Sequence, residues 1–254
     1  MSIAAVTKNP ARSRMSDAEW QTRVDLAACY RLADMNGMSK VIWNHITARV
    51  PGDEGRILIN ELGLRYDEVT ASNLLKIDYD GNILDGNPKG LNRSGWVIHG
   101  AIHQARPDVA CVMHTHSRGG QGVSALRCGL LPLCQEAMMF YEEVSYHGYE
   151  GLASGLDERE RLVADLGRND QLIMLNHGLL TVGRTIGETY WRMFHLERAC
   201  ALQMDVLASG QEYVLPPREV CVKAREQYRD GKPGEPEWPA LVRLVDKKSP
   251  DYKT

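Results

Sequence analysis

Two histidines placed two positions apart are the residues in this sequence that are best suited to chemistry. His114 and His116 belong to the run Met113-His114-Thr115-His116, which continues the apolar segment that begins at Val109. On a β-strand alternate side chains share a face, so both imidazoles should project together from the end of a buried strand. Such a pair can chelate a divalent transition metal. Two surface histidines without a ligand are the competing interpretation.

A third imidazole is expected at a turn. His177 lies in Leu175-Asn176-His177-Gly178-Leu179, where a polar turn separates two apolar, strand-like segments. Gly178 would allow a close approach of the backbone. Three histidines that leave coordination positions open are typical of catalytic metal sites. The alternative is a turn histidine bonded to a neighbouring carbonyl.

The elements that must position these residues alternate between helix and strand. Ser16 with Glu19 is a capping-box signature, in which Glu19 should reach back to the helix start, and Thr185 with Glu188 opens a second long helix. Shorter helices are predicted from Ser94 to about 106, over 117–127 and from an Asp157 cap to about 166. Strands are predicted over 41–50, 56–60, 74–77, 109–116, 171–175 and 179–182, with turns at 51–55 and 79–82.

The composition excludes several classes of function. Lys+Arg 30 against Asp+Glu 33 gives a formal net charge of -3, so no basic excess favours binding to nucleic acid. The longest apolar runs are far shorter than the roughly 20 residues of a membrane helix, and the N-terminal residues lack the apolar region of a secretion signal. The six cysteines show no C-x-x-C spacing. Free thiols and a cytoplasmic protein are therefore expected.

No internal repeat or long linker divides the chain. We predict a flexible N-terminal arm over residues 1–15 and one layered α/β domain over 16–215. Residues 216–254, which are rich in proline, glycine and mixed charge, should form a C-terminal extension that packs on the domain or on a neighbouring subunit.

The motifs resemble the class II aldolase/adducin family. The resemblance is carried by Ile98-His99 through Pro107-Asp108, by Val112–Ser117 and by Leu175–Leu179, and it covers roughly residues 20–210. It implies a three-layer α/β/α fold with a mostly antiparallel central sheet. It also implies that His114, His116 and His177 bind a divalent metal, zinc foremost and manganese or iron otherwise. Family enzymes are usually tetramers with active sites at subunit interfaces, so a homotetramer acting on a small molecule is expected.

One departure from the family concerns catalysis. Family aldolases carry a proton-transferring glutamate nineteen residues before the first metal histidine, and the related epimerases carry an aspartate there, whereas this sequence has Gly95. Glycine can neither ligate a metal nor move a proton, so the usual aldolase chemistry through this position is excluded.

A second departure concerns the phosphate pocket, whose matching stretches are Asn44–Thr47, Glu61–Gly63 and Arg93-Ser94. Glu61 and Leu62 oppose a phosphate dianion, whereas the Arg93 fork suits a carboxylate. By resemblance Arg93, Ser94 and His45 are expected to contact substrate, and a solvated surface arginine is the alternative for Arg93.

The source of acid–base catalysis is then open. His99 and His103 are four apart on one helical face, and His99 is our candidate for a proton relay toward the metal. Core histidines tied to backbone carbonyls are the other interpretation. Carboxylates in the semi-apolar stretch 135–147 are further candidates that no spacing distinguishes.

These patterns together predict a metal-dependent carbon–carbon lyase of a small carboxylated or carbonyl substrate, with decarboxylation favoured over aldol cleavage. Two alternatives remain. One is an Fe(II)-dependent oxygenase or decarboxylase on the same fold, because three histidines with open positions also suit iron. The other is a non-catalytic scaffold like the adducin head domain.

Overall fold

One mixed, eight-stranded β-sheet is the central layer of the described structure. The computed structural model describes residues 12–151 and 158–254. Within them the strands are β1 His45–Arg49, β2 Arg56–Ile59, β3 Leu75–Asp78, β4 Ile83–Asp85, β5 Cys111–Thr115, β6 Val144–His147, β7 Gln171–Met174 and β8 Gly178–Gly183. The strand order is β4-β3-β2-β1-β5-β8-β7-β6. All neighbours are antiparallel except the parallel pair β6 and β7.

Helices cover both faces of this sheet. They are α1 Asp17–Met35, α2 Arg93–Ala105, α3 Arg118–Ser124, α4 Gln135–Met138, α5 Glu158–Leu166, α6 Ile186–Ala208, α7 Arg218–Asp230 and α8 Trp238–Lys248, with short 3₁₀ helices at Arg12–Arg14, Tyr66–Glu68 and Pro250–Lys253. No helix in the described part of the chain is long and apolar enough to cross a membrane. The mostly antiparallel three-layer architecture expected from the resemblance is confirmed.

Strand alternation sorts the side chains of β5 between the two layers. Cys111 and Met113 lie in the apolar cluster that includes residues of α1 and α6. Val112 lies in the cluster formed with α2 and α5. Because side chains alternate along a strand, His114 faces the same layer as Val112. His114 therefore lies at one end of the sheet face that α2 covers.

The structure corrects several predicted element boundaries. The first strand begins at His45, because Val41 has a φ of 54° and Asn44 a φ of 83°, and residues in the left-handed region cannot continue a strand. Helix α2 begins at Arg93 because Asn92, which the sequence reasoning passed over, is its N-cap. The predicted Asp157 cap and residues 1–11 of the predicted arm lie outside the described residues.

The predicted capping box at the start of α1 is half right. The Ser16 hydroxyl accepts a hydrogen bond from the Glu19 backbone N–H, as expected. The Glu19 carboxylate, however, pairs with the buried Arg23 and with Lys76 of β3, and does not reach back to Ser16. A buried arginine needs a carboxylate partner, and this requirement outweighs the local cap.

The C-terminal residues pack on the domain of their own chain. Two helices that sequence patterning did not predict, α7 and α8, form here. Val245 and Tyr252 are fully buried in the cluster around α1. The Ala71 N–H donates to the Tyr252 carbonyl at 2.9 Å, and Arg31 of α1 pairs with Asp251 at 3.0 Å.

A buried tyrosine fixes α1 to the sheet beside the histidines. The Tyr30 hydroxyl accepts hydrogen bonds from the backbone N–H of Ile46 at 2.8 Å and of Asn60 at 3.2 Å. Its proton is donated to one of two nearby acceptors, the Ile46 carbonyl or the Asn60 side-chain oxygen. The ring of Tyr66 meets Tyr30 edge to face, with centroids 4.6 Å apart, but the buried Tyr66 hydroxyl has no hydrogen-bond partner among the described residues.

These two tyrosines allow a matched test of the anchor. Tyr30→Phe leaves buried backbone N–H groups without an acceptor and should lower the free energy of unfolding by about 2–3 kcal/mol. Tyr66→Phe removes a hydroxyl that is unpaired within residues 12–151 and 158–254, and it should change stability by less than about 0.5 kcal/mol or increase it. Urea denaturation of both variants measures the difference, and equal losses would contradict the anchoring role of Tyr30.

Candidate metal centre

The three predicted ligands come together at one end of the sheet. The ligand nitrogens of His114, His116 and His177 all lie within 4.8 Å of one another, and they form the cluster of potential metal ligands found among the described residues. The Nε2 atoms of His114 and His116 are 2.8 Å apart. The ring of His177 lies 4.8 Å from that of His114 and 4.6 Å from that of His116, measured between centroids.

The tautomer of His114 is set by the neighbouring strand. Its Nδ1 lies 2.8 Å from the carbonyl oxygen of Leu179 in β8. A carbonyl only accepts, so Nδ1 carries the hydrogen, and in the neutral ring Nε2 keeps its lone pair. A backbone carbonyl that orients a histidine in this way is a common outer partner of a metal ligand. The buried ring of His114 is therefore held ready for coordination.

His177 reaches the cluster because the turn before β8 is very close to β5. A Cβ on Gly178 would lie 2.3 Å from the Thr115 carbonyl oxygen, which is a steric clash, so the position requires glycine. The preceding Asn176 has a φ of 56°, in the left-handed region, and this turns the chain from β7 into β8 at His177. The close approach expected for Gly178 is thus present.

His116 is positioned by a carboxylate on another helix. It lies between the end of β5 and the start of α3, where Glu197 of α6 accepts hydrogen bonds from the Gly119 and Gly120 N–H groups at 2.8 and 2.7 Å and from the Ser117 hydroxyl at 2.5 Å. Sequence patterning did not identify Glu197, because its partners are almost eighty positions away. The carboxylate fixes the turn that carries His116.

Burial keeps the imidazoles of the cluster uncharged. It lowers the pKa of His114 well below its usual range, with His177 and His116 adding to the effect. Burial and the neighbouring His177 lower the pKa of His116 to about 4. Burial and the neighbouring His147 lower the pKa of His177. Neutral imidazoles are the form that binds metal, and this donor set fits a borderline divalent cation such as Zn²⁺.

A chain of buried polar side chains leads away from the cluster between β1 and α2. The Nδ1 of His45 lies 2.8 Å from Nε2 of His99, and the Nδ1 of His99 lies 2.8 Å from the Thr47 hydroxyl. That hydroxyl also lies 2.8 Å from Nε2 of His103. We call these four residues the histidine seam. The partners of His99 are side chains, so it is not tied to a backbone carbonyl. His103 also has a backbone hydrogen bond at Val109, which acts to raise its pKa, so for His103 the interpretation as a core histidine held by the backbone stands.

His45 joins the seam to the candidate ligands. It pairs with His114 across the strands β1 and β5, and the two rings are 5.3 Å apart between centroids. Its ring also fills the space beside Gly95, where an added Cβ would lie 2.7 Å from Cδ2 and 2.9 Å from Cγ of His45. A side chain at position 95 and the observed His45 ring are therefore mutually exclusive.

The other predicted substrate contacts lie at the start of α2. Arg93 is exposed, with its guanidinium 5.9 Å from the Trp96 ring centroid. The Ser94 hydroxyl donates to the side-chain oxygen of Asn92 at 2.8 Å. Nothing in the structure tests their roles, which stay predictions. The buried amide of Asn44, beside His45, has no hydrogen-bond partner in the described part of the chain and is a further polar group available to a ligand.

The acidic stretch near β6 is used for packing of the C-terminal helices. Glu142 pairs with Arg218 at 2.7 Å, and Glu143 pairs with Arg225 and Arg229, all on α7. His147 is held by Asp165 at 2.7 Å and by Glu158 at 3.4 Å. These ion pairs account for the two glutamates without a catalytic role.

Comparison with known proteins gives a consistent result over most of the chain. A family model described as the Class II Aldolase and Adducin N-terminal domain matches residues 24–204. The chain is 44% identical to a Pseudomonas aeruginosa protein named as a candidate class 2 aldolase, over 99% of this chain and 100% of that protein. It is also 39% identical to alpha-adducin of Rattus norvegicus, over 88% of this chain and 33% of alpha-adducin.

A solved structure shows the same architecture. The crystal structure of an aldolase II superfamily protein from Pseudomonas syringae matches with a TM-score of 0.91 at 47% sequence identity, and the match covers 96% of this chain and 99% of that one. The similarity therefore includes the C-terminal helices as well as the region of the family model.

The contact between Gly95 and His45 predicts an unusual helix substitution. Helix propensity alone favours alanine over glycine by about 1 kcal/mol. Gly95→Ala should instead destabilise the protein by about 1–3 kcal/mol, because the new methyl group displaces the buried His45 ring. Gly148→Ala, where an added Cβ has no atom within 4 Å, is the matched control. Thermal and urea unfolding measure both, and a Gly95→Ala variant as stable as the wild type would contradict the packing.

The seam predicts acid sensitivity of the metal-free protein. Burial lowers the pKa of His103 to about 3, whereas in the unfolded chain it titrates near 6.5. The unfolded state therefore binds the proton first, and stability falls as the pH drops from 6.5 toward 3, by up to about 1.4 kcal/mol per pH unit for this histidine. Urea unfolding of chelator-treated protein between pH 7.5 and 4.5 should show a shallower loss for His103→Gln. An unchanged slope would contradict the prediction.

Proposed function

The chain belongs to the class II aldolase and adducin family, and we propose that it is a metal-dependent carbon–carbon lyase. Its substrate is a small carboxylated or carbonyl compound, and decarboxylation is favoured over aldol cleavage. The observation that carries the proposal is the convergence of three neutral imidazoles within 4.8 Å beside a position, Gly95, that has no side chain.

His114, His116 and His177 hold the metal in this proposal, with zinc as the first candidate and manganese or iron as the others. The bound ion supplies a Lewis acid that polarises a carbonyl and stabilises the negative charge of an enolate. The Leu179 carbonyl supports the proposal because it orients the His114 ring before any ion binds, and Glu197 supports it because it holds the turn that follows His116.

The reaction type follows from the missing carboxylate. Aldol chemistry in the family moves a proton with an acidic residue, and Gly95 has no group that does so. Decarboxylation needs stabilisation of the electron pair left when CO₂ departs, followed by protonation of the product. It does not need a base to remove a proton from carbon, so the site as built supports this reaction better.

The remaining predicted residues are proposed to contact the substrate. Arg93 is proposed to hold the substrate carboxylate, with Ser94 beside it. His45 is proposed to contact the substrate from β1. His99 is completely buried and contacts His45 and Thr47, so its proposed role in proton transfer acts through His45.

We propose that the protein works as a cytoplasmic homotetramer with its site at a subunit interface. Val41 and Trp43, in the turn just before His45, are 67% and 55% exposed. A neighbouring subunit would remove these side chains from water next to the candidate centre. The six cysteines are all free, which supports a reducing compartment.

Two other functions remain as alternatives on the same fold. The similarity to alpha-adducin favours a non-catalytic scaffold, in which the histidines would be structural. An Fe(II)-dependent oxygenase or decarboxylase is favoured only by the donor set, because three histidines also suit iron. Metal content and oxygen uptake during turnover together distinguish all three.

The first test is therefore metal analysis of untagged protein purified without chelator. We expect about one zinc or manganese ion per chain, and His116→Ala should lower metal affinity by about a hundredfold or more. His195→Ala is the control, since His195 lies on α6 against Trp191 and Phe194.

Turnover is then screened as CO₂ release from 2-oxo and 2-hydroxy acids, with His116→Ala inactive. Iron together with oxygen uptake during turnover would support the oxygenase. A chain that binds no metal even after reconstitution would contradict the lyase and favour the scaffold.

A further inference from the structure

We propose that His45 occupies the place of the missing carboxylate as an uncharged group, and so makes the metal centre selective for ligands that bring their own carboxylate. The inference rests on the proposed metal site and adds a residue that determines specificity. The ligand class is a small anion with vicinal oxygens, such as a 2-oxo acid or a dicarboxylate.

The space beside Gly95 is the first support. The His45 ring lies so close to the Gly95 backbone that any Cβ at position 95 would overlap it, at 2.7 Å. His45 itself is 3% exposed and stands directly across from His114 in the sheet. The His45 ring can therefore stand next to a candidate ligand only because position 95 has no side chain.

The histidine seam fixes the orientation of that imidazole. One nitrogen of His45, Nδ1, is occupied by His99, and His99 is fixed in turn by Thr47. The second nitrogen, Nε2, has no hydrogen-bond partner in the described residues and is not among the buried unpaired atoms, so it borders accessible space. A rigid ring with one free nitrogen is a positioned contact for a ligand.

The charges around the centre are the second support. Among the described residues, the groups that shift the pKa values of His45, His114, His116 and His177 are other histidines and Lys40, with no carboxylate. The Glu197 carboxylate at the turn after His116 accepts hydrogen bonds from Ser117, Gly119 and Gly120. The neighbouring carboxylates of Asp165 and Glu158 are bonded to His147. A divalent cation held by three neutral imidazoles would therefore keep its charge uncompensated by its protein ligands.

An uncompensated cation favours an anionic ligand by direct Coulomb attraction, most strongly where water is excluded. A glutamate at this place would neutralise part of that charge and repel a carboxylate. His45 provides contact without charge, so selectivity for an anion follows from the residue type at position 45. Introducing a negative charge at position 45 should change the ligand preference without altering the metal ligands.

The experiment compares two probes on zinc-loaded protein. Oxalate is a dianion with vicinal oxygens, and hydroxyacetone presents a similar pair of oxygens without charge. We measure the Kd of oxalate by calorimetry and that of hydroxyacetone by shifts of histidine C–H resonances. The wild type, His45→Gln as the uncharged control and His45→Glu are compared, with zinc content and thermal unfolding checked for each.

We expect the Kd for oxalate to be about tenfold or more higher for His45→Glu than for His45→Gln. The Kd for hydroxyacetone should agree between these two variants within about threefold. Equal oxalate affinities would overturn the proposal. An equal weakening of both probes by His45→Glu would also overturn it, because the new carboxylate would then be blocking a coordination position and not selecting by charge.

The outcome is separable from that of the proposed function. If the oxalate preference follows His45 but no acid is turned over, the selectivity stands and the lyase function fails. If acids are decarboxylated but oxalate binding ignores the charge at position 45, the function stands and this inference fails. Wild-type protein that takes up no zinc overturns both.

Discussion

The pairing of β5 with β1 on one side and with β8 on the other is the constraint on which the candidate site depends. It places His45 across from His114 and brings the Leu179 carbonyl to the His114 ring. The same pairing allows the turn at Gly178 to approach Thr115 and present His177. A shift of one residue in either register would move His114 to the opposite face of the sheet. The backbone ladder is therefore also the scaffold of the metal centre.

The second feature of the design is the histidine seam behind that centre. Three imidazoles and one threonine hydroxyl are completely or almost completely buried between β1 and α2, and contacts of 2.8 Å link them in a chain. A buried polar network of this kind is costly when one member is removed, because its partners are left without a hydrogen bond. It explains how a fold that lacks a carboxylate at position 95 still keeps a polar, ordered wall next to the candidate ligands.

Much of the fold was predictable from local patterns. The long helices α1 and α6 carry caps at Ser16 and Thr185 that act as predicted, through the N–H groups of Glu19 and Glu188. The strand that precedes the His114–His116 pair was recognisable from its apolar β-branched residues. The α7 and α8 helices were missed because their sequence is rich in charge, proline and glycine, and their burial comes from packing on α1 and α4. The start of β1 was misplaced because positive φ at Asn44 is not encoded in hydrophobic alternation.

By itself the sequence determined the chemistry of the three candidate ligands. Histidines two apart on a strand must share a face, and a polar turn between two apolar strands lies where those strands end. Only the tertiary structure decided what surrounds them. Glu197, Thr47 and the contact between His45 and Gly95 join residues that are about fifty to eighty positions apart. Such contacts depend on how α2 and α6 pack on the sheet, and hydrogen bonds between distant elements leave no periodic signal along the chain.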